Sequence, residues 1–195
     1  LIFLVLCQAG AVLKLPNIFY SSTFLLYSTL IYFGYNRFMS RKENPPSTFI
    51  FVGLGIMIFL LSSLALSLNP REEHLKFFHS LFFKGGVLSL VIGIGGRLIP
   101  GLLGWTDIVR AQRKIYEQPV AFYKAIPNWM FFILICFIGS FAIEHYYHLP
   151  LGRTLRAAVI TIIAVVYWRL HYIPKERTLL TIFLWLSSWC VLIGS

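Results

Sequence analysis

Histidine and glutamate side chains gather near the ends of two apolar segments of this 195-residue chain. Glu144, His145 and His148 close one segment, and helical spacing puts Glu144 and His148 on the same face. A second group precedes another apolar segment: Glu72, Glu73, His74 and His79. Because imidazole is the commonest ligand for haem, copper and zinc, these groups indicate a metal or haem site at one membrane face. The alternative is a set of interfacial side chains, since the sequence has no HExxH or paired-cysteine pattern.

A stripe of small residues, followed by an arginine, lies in the apolar segment 81–98. Gly86, Ser89, Gly93 and Gly96 are spaced three, four and three apart, so they share one helix face. Such a stripe favours close approach of a second helix, and a groove for a flat cofactor is the alternative. A dinucleotide loop is excluded, because its glycines stand between a strand and a helix. Arg97 either reaches to the membrane surface or pairs with a propionate, a phosphate or an internal carboxylate.

These residue types give two sets of candidate ligands. We expect Arg97, His145 and His148 to bind a haem or copper cofactor, if one is present. The candidate metal ligands are His74, His79 and Glu144. No nucleophile–base pair is evident, and acidic residues are scarce inside the apolar segments, so enzymatic activity and proton-coupled transport are both disfavoured.

The elements that must position these residues are membrane helices. Apolar residues make up 58% of the chain and charged residues 12%, about half the charged fraction of an ordinary soluble domain. A bilayer core requires about 20 consecutive, mostly apolar residues. We therefore predict an all-α transmembrane bundle with about six spans, in a single domain over 1–195. Residues 1–13 are expected to be the end of a truncated further helix. The six predicted spans are 18–35, 48–68, 81–98, 129–146, 155–170 and 178–194.

The net charge of +10 does not require nucleic acid as a partner. The basic residues lie between the spans, and alternate connections carry eleven and six of them, so the positive-inside rule accounts for their distribution. The richer set is expected to be cytoplasmic, which places the C-terminus outside. Residues 101–127 form the longest connection and are predicted to be a basic cytoplasmic segment at the lipid interface. Binding of a soluble partner to that segment is the alternative.

Segment 80–100 ends in Ile94-Gly95-Gly96-Arg97-Leu98-Ile99-Pro100 and resembles the NnrS family of polytopic membrane proteins. Residues 157–194 are also similar, with Tyr167-Trp168-Arg169-Leu170 followed by Leu184-Trp185-Leu186. The resemblance implies a haem- and copper-containing protein of the bacterial cytoplasmic membrane, associated with tolerance of nitric oxide. It covers about half the chain. The family often has a histidine in its last helix, where this chain has Trp185, and continues with Phe and Thr after the proline, where this chain has Gly101.

Two function classes follow from the sequence. The first is an NnrS-like protein that binds haem or copper in a nitrogen-oxide or metal stress response. The second is a cofactor-free structural or assembly subunit, which packs against lipids and other membrane chains. A small transporter or channel is the third possibility.

Overall fold

The computed structural model describes residues 2–13, 15–40, 47–68, 71–105, 126–174 and 178–194, and every regular element in these residues is helical. The first helices are α1 (Ile2–Val12) and α2 (Pro16–Met39), with Pro16 in the first turn of α2, where its missing N–H costs nothing. A short 3₁₀ turn, Ser47–Phe49, leads into α3 (Ile50–Ser67). The helical part of the predicted fold is therefore confirmed.

The helix predicted to start near residue 81 starts nine residues earlier, at Glu72. α4 (Glu72–Ser80) continues through a π-helical turn, Leu81–Gly86, into α5 (Val87–Leu102). Glu72, His74 and His79 thus lie on a helix that continues into the predicted span 81–98. Pro100 lies inside the last turn of α5, which ends at Leu102, four residues beyond that span.

The remaining helices form a hairpin and a last segment. α6 (Asn128–Tyr146) and α7 (Leu149–Ile163) are joined by Tyr147 and His148, a connection so short that the two helices must be antiparallel neighbours. α7 continues through a second π-helical turn, Ala164–Trp168, and α8 (Leu179–Gly194) follows.

Among the described residues, four helical segments are long and apolar enough to cross a membrane: Ser47–Ser67, Glu72–Leu102, Asn128–Tyr146 and Leu149–Trp168. Two of the six predicted spans are not confirmed. α2 has 24 residues and sufficient length, but its serine, threonine, tyrosine and asparagine residues make it too polar to qualify. α8 is apolar but has only 16 residues, which rise about 24 Å against a hydrocarbon core of about 30 Å.

The chain divides into two compact units. The N-terminal unit contains α1, α2 and Gly53–Leu90, and its core is built from Tyr20, Phe59, Leu66 and Phe82. The C-terminal unit contains residues 47–52 and the described residues from 91 onward. Its fully buried side chains include Phe51, Phe137, Ile160 and Trp168. The single domain over 1–195 stays a prediction. Most of the predicted interfacial segment, 106–125, lies outside the described residues.

Candidate functional site

The most polar buried feature of the C-terminal unit is an ion pair across the α6–α7 hairpin. Arg156 on α7 donates from Nη1 to Oε2 of Glu144 on α6, at 2.6 Å. The side chains of Arg156 and Glu144 are only 3% and 9% exposed. Arg153 also reaches Glu144, with Nε 3.4 Å from Oε1, but its side chain is 55% exposed. One carboxylate therefore accepts from two guanidinium groups, and the buried one makes the shorter contact.

Local geometry explains why Arg156 meets Glu144. Helix side chains lean toward the N-terminus, so Arg156 reaches back along α7 toward the turn, near which Glu144 ends α6. Gly152 lets the two helices approach: a Cβ there would lie 2.5 Å from the backbone nitrogen of Glu144. The guanidinium carbon of Arg156 also lies 4.4 Å from the centroid of the Phe141 ring, a cation–π arrangement. This ion pair was not predicted, since Arg156 was counted among the basic residues of a connection.

His145 and His148 flank the same turn. His145 is half-buried, and its ring meets the edge of Tyr146 with centroids 4.7 Å apart. His148 is exposed and directly precedes the first residue of α7, Leu149. Both histidines lie at the end of the hairpin where Glu144 binds the two arginines. α6 ends at Tyr146 and His148 has an extended backbone, so the helical spacing that put Glu144 and His148 on one face does not apply. The carboxylate's arginine partners were not foreseen either.

The other pair of histidines belongs to the N-terminal unit. His79 ends α4 with both ring nitrogens 3.3 Å from the hydroxyl of Tyr20 on α2, and its ring stacks on Phe83. Tyr20 also meets Phe82 edge-on, so His79 contacts the aromatic core of this unit. His74 is half-buried one turn earlier on α4. The predicted metal set of His74, His79 and Glu144 is thus divided between the two units.

Within the described ranges, no group of three or more histidine, cysteine, aspartate or glutamate side chains is arranged to hold a metal ion. The donor chemistry points the same way. Glu144 already binds two arginines, one on each oxygen, and their positive charges oppose a metal cation at the same carboxylate. His79 lies between a tyrosine hydroxyl and a phenylalanine ring. These residues fit poorly as ligands of haem, copper or zinc.

Arg97 lies at the other end of the C-terminal unit from the hairpin turn. It is exposed near the end of α5, and the adjacent glycines contact residues from two other elements. A Cβ on Gly95 would lie 2.9 Å from the ring of Trp168, at the far end of α7. The span from Leu149 to Trp168 has 20 residues, or about 28 Å. Arg97 is therefore too far from His145 and His148 to share one small cofactor site with them.

The small-residue stripe is occupied by side chains of α3 and its leading turn. In the N-terminal unit, a Cβ on Gly86 would lie 2.6 Å from the ring of Phe59. In the C-terminal unit, a Cβ on Gly93 would lie 2.6 Å from the backbone nitrogen of Val52, and one on Gly96 would lie 2.6 Å from Cβ of Thr48. Each glycine thus allows a close contact within the protein. The alternative groove for a flat cofactor is already filled along this face.

Three buried polar atoms along this packing have no hydrogen-bond partner among the described residues. They are the hydroxyls of Thr48 and Ser89 and the indole nitrogen of Trp168. The one serine of the stripe, Ser89, is fully buried. A Cβ added to Gly55 would lie 3.1 Å from the Cβ of Ser89. Thr48 and Trp168 were not singled out by the sequence, because an apolar run gives no sign of which residues meet a glycine.

Trp185 stands where the NnrS resemblance leads one to expect a histidine. Its indole nitrogen donates to the backbone carbonyl of Leu170, at 2.9 Å. A tryptophan ring has a donor and no lone pair for a metal, so this position acts in packing here. Searches for related proteins add no assignment: no family model, no curated protein and no solved structure matches the chain.

Proposed function

We propose that this chain is an NnrS-like membrane subunit that works without haem or copper and assembles with other membrane chains. The observation that carries this proposal is the engagement of the candidate ligands by the protein itself. Glu144 accepts from Arg153 and Arg156, His79 lies against Tyr20, and the glycine stripe is filled by neighbouring side chains. In this proposal the chain acts by packing against other membrane chains and not by cofactor chemistry.

The membrane arrangement in this proposal has six crossings in a bacterial cytoplasmic membrane. α2 and α8 cross the membrane in addition to the four segments that are long and apolar enough to do so. The C-terminus lies outside, in line with the positive-inside distribution of basic residues. α2 is long enough, at about 36 Å, and its serine and threonine hydroxyls return hydrogen bonds to backbone carbonyls of the same helix, as Ser22 and Thr23 do. Such bonds lower the cost of hydroxyls in hydrocarbon.

The surface of α2 supports association with another membrane chain. Tyr32 and Tyr35 are 71% and 60% exposed, and a Cβ on Gly34 would meet nothing within 4 Å among the described residues. Exposed tyrosine rings near the end of the predicted span 18–35 offer contact area to a neighbouring helix, and a bare glycine lets the backbone of that helix approach. A partner helix seated on Gly34 makes use of both.

A second candidate remains an NnrS-like cofactor protein in nitrogen-oxide or metal stress. One observation favours it: His145 and His148 lie at a single end of the α6–α7 hairpin, and His148 is exposed. When bound, haem or copper would supply redox and nitrogen-oxide chemistry. The chain's own contribution would be imidazole ligands from these two residues and a cationic surrounding from Arg153.

The absorption spectrum and metal content of the purified full chain separate the two candidates. We expect no Soret band and no stoichiometric iron or copper, with or without His145→Ala and His148→Ala. A Soret band that these substitutions abolish would overturn the cofactor-free proposal. The assembly part is tested by native electrophoresis of membranes solubilised in mild detergent, where we expect a complex larger than the 22.4 kDa monomer.

A matched pair of variants locates the association surface. Gly34→Leu should dissociate the complex, because it fills the open space on α2. Gly53→Leu fills an equally open position on α3 and should leave the complex intact. A protein that is monomeric in every mild detergent, or a complex that survives Gly34→Leu, contradicts assembly through α2.

A further inference from the structure

Arg169 has a backbone conformation that arginine rarely adopts. It follows the π-helical turn that ends α7, with φ 50° and ψ 39°, in the left-handed region. The amide of Leu170, the next residue, donates to the carbonyl of Ala164 at 3.2 Å, so Arg169 occupies the helix-ending position that usually belongs to glycine. A non-glycine residue there is strained, and such strain is typical of functional positions. The exposed guanidinium of Arg169 therefore needs an explanation.

A second exposed arginine lies at the same end of the C-terminal unit. Arg97 is near the end of α5, and the contacts of Gly95 with Trp168 and of Gly96 with Thr48 hold this end of α5 beside the end of α7. Neither Arg97 nor Arg169 forms an ion pair with any residue that the structure describes. Among the described residues of this unit, the one carboxylate side chain is that of Glu144. It lies near the C-terminal end of α6, away from the two arginines.

Aromatic residues lie at the same end of the unit as the two arginines. Trp129 stacks on Tyr167 with centroids 5.7 Å apart, and Tyr167 accepts a hydrogen bond from Ser47 at 3.4 Å. Trp105 packs against Tyr172 at 5.7 Å. Tryptophan and tyrosine concentrate at the headgroup level of membranes, where the ring is apolar at one end and hydrated at the other. We call this set of residues the basic rim: Arg97, Arg169, Trp105, Trp129, Tyr167 and Tyr172.

We propose that the basic rim binds the phosphate headgroup of an anionic phospholipid. Guanidinium groups match phosphate oxygens with two parallel hydrogen bonds, and the cytoplasmic leaflet carries the negative charge that attracts them. The aromatic rings set the depth at which the headgroup meets Arg97 and Arg169. The strained backbone of Arg169 is kept because glycine would remove the guanidinium. This proposal rests on the orientation given in the proposed function, which puts the basic rim on the cytoplasmic side, and it is independent of whether any cofactor is bound.

The test uses the full chain in nanodiscs of phosphatidylcholine with rising fractions of phosphatidylglycerol, with bound lipid counted by native mass spectrometry. We expect preferential retention of phosphatidylglycerol and about a 30-fold loss of that preference in Arg97→Gln with Arg169→Gln, as for two basic residues at a headgroup surface. The matched control is Arg71→Gln with Arg153→Gln, which removes the same charge from exposed arginines elsewhere. Its preference should be nearly unchanged.

A third variant separates lipid binding from folding. Arg169→Gly suits the left-handed backbone, so the protein should unfold at the same temperature or higher while its phosphatidylglycerol preference falls. Equal losses in the rim variant and the control variant would overturn the proposal. So would displacement of the lipid by millimolar inorganic phosphate, which would indicate a site for free phosphate.

Discussion

The indole nitrogen of Trp185 on α8 donates a hydrogen bond to the backbone carbonyl of Leu170, at 2.9 Å. Leu170 follows the π-helical turn Ala164–Trp168 that extends α7. The bond therefore joins α8 to the chain just after α7. Leu170 itself is fully buried, which leaves its carbonyl few alternatives. A position where the NnrS resemblance suggests a histidine ligand thus supports the fold directly.

Trp185→Phe should lower the free energy of unfolding by about 1 kcal/mol, because it removes this hydrogen bond while keeping an aromatic ring. Equilibrium unfolding in detergent micelles measures the change. Trp189→Phe is the control on the same helix, since the Trp189 indole has no hydrogen-bond partner among the described residues. Similar losses from both substitutions would show that ring packing, and not the bond to Leu170, matters here.

Glu144→Ala should destabilise the protein by roughly 3–5 kcal/mol, because it leaves Arg156 buried without its partner. Arg153→Ala should cost less than about 1 kcal/mol, since that pair is exposed. Replacing both buried charges, Glu144→Leu with Arg156→Met, should recover most of the loss. Thermal unfolding of the three variants and the unsubstituted protein checks this order of stability. An unfolding temperature unchanged by Glu144→Ala would contradict a structural role for the ion pair.

Gly93→Ala and Gly96→Ala should each destabilise the protein by about 1–3 kcal/mol, because both create overpacking against α3 and its leading turn. Thr48→Ala should restore part of the loss in Gly96→Ala, since Thr48 supplies that contact. It should not help Gly93→Ala, where a backbone nitrogen lies in the way. Gly53→Ala, at an open helical position, should be neutral or stabilising by up to about 1 kcal/mol. Rescue of both variants by Thr48→Ala would disprove these contacts.

The six-crossing arrangement predicts which side of the membrane each connection occupies. In a background without native cysteines, Leu13→Cys and His148→Cys should react with an impermeant maleimide from outside, whereas Ser40→Cys and Thr178→Cys should react only after the membrane is opened. Labelling of Leu13→Cys and Ser40→Cys from the same side would remove α2 from the membrane-crossing helices. Western detection of the label in intact and permeabilised cells reads out the result.

The sequence predicted the helical fold and four of the spans because long apolar runs are decided by composition alone. It was less successful where composition is mixed or length is marginal. α2 combines a spanning length with polar residues, and α8 is apolar but short, so neither property decides membrane crossing by itself. The helix that includes the predicted span 81–98 also starts earlier, at Glu72, because two glutamates outside the apolar run are well suited to the first turn of a helix.

The candidate site was only partly predictable for a different physical reason. Neighbours within one helix, such as Glu144 and His145, follow from spacing. The pairing of Glu144 with Arg156 depends on the length of the α6–α7 turn and on the lean of an arginine side chain. The available signal was a carboxylate and an arginine on opposite sides of one tight turn, with Glu144 three residues before it and Arg156 eight residues after it. The contacts of Thr48 and Trp168 with the glycines left no comparable signal in the sequence.

The buried pair of Glu144 and Arg156 also has a consequence for biogenesis. Arg156 is the eighth residue of the 20-residue span Leu149–Trp168, where an arginine entering the bilayer alone costs about 3 kcal/mol. α6 is synthesised first and carries the compensating carboxylate near its end, three residues before the turn. The two segments should therefore leave the insertion machinery together, as one neutralised hairpin. A nascent chain deprived of α6 should release α7 into the aqueous phase more often than the intact chain does.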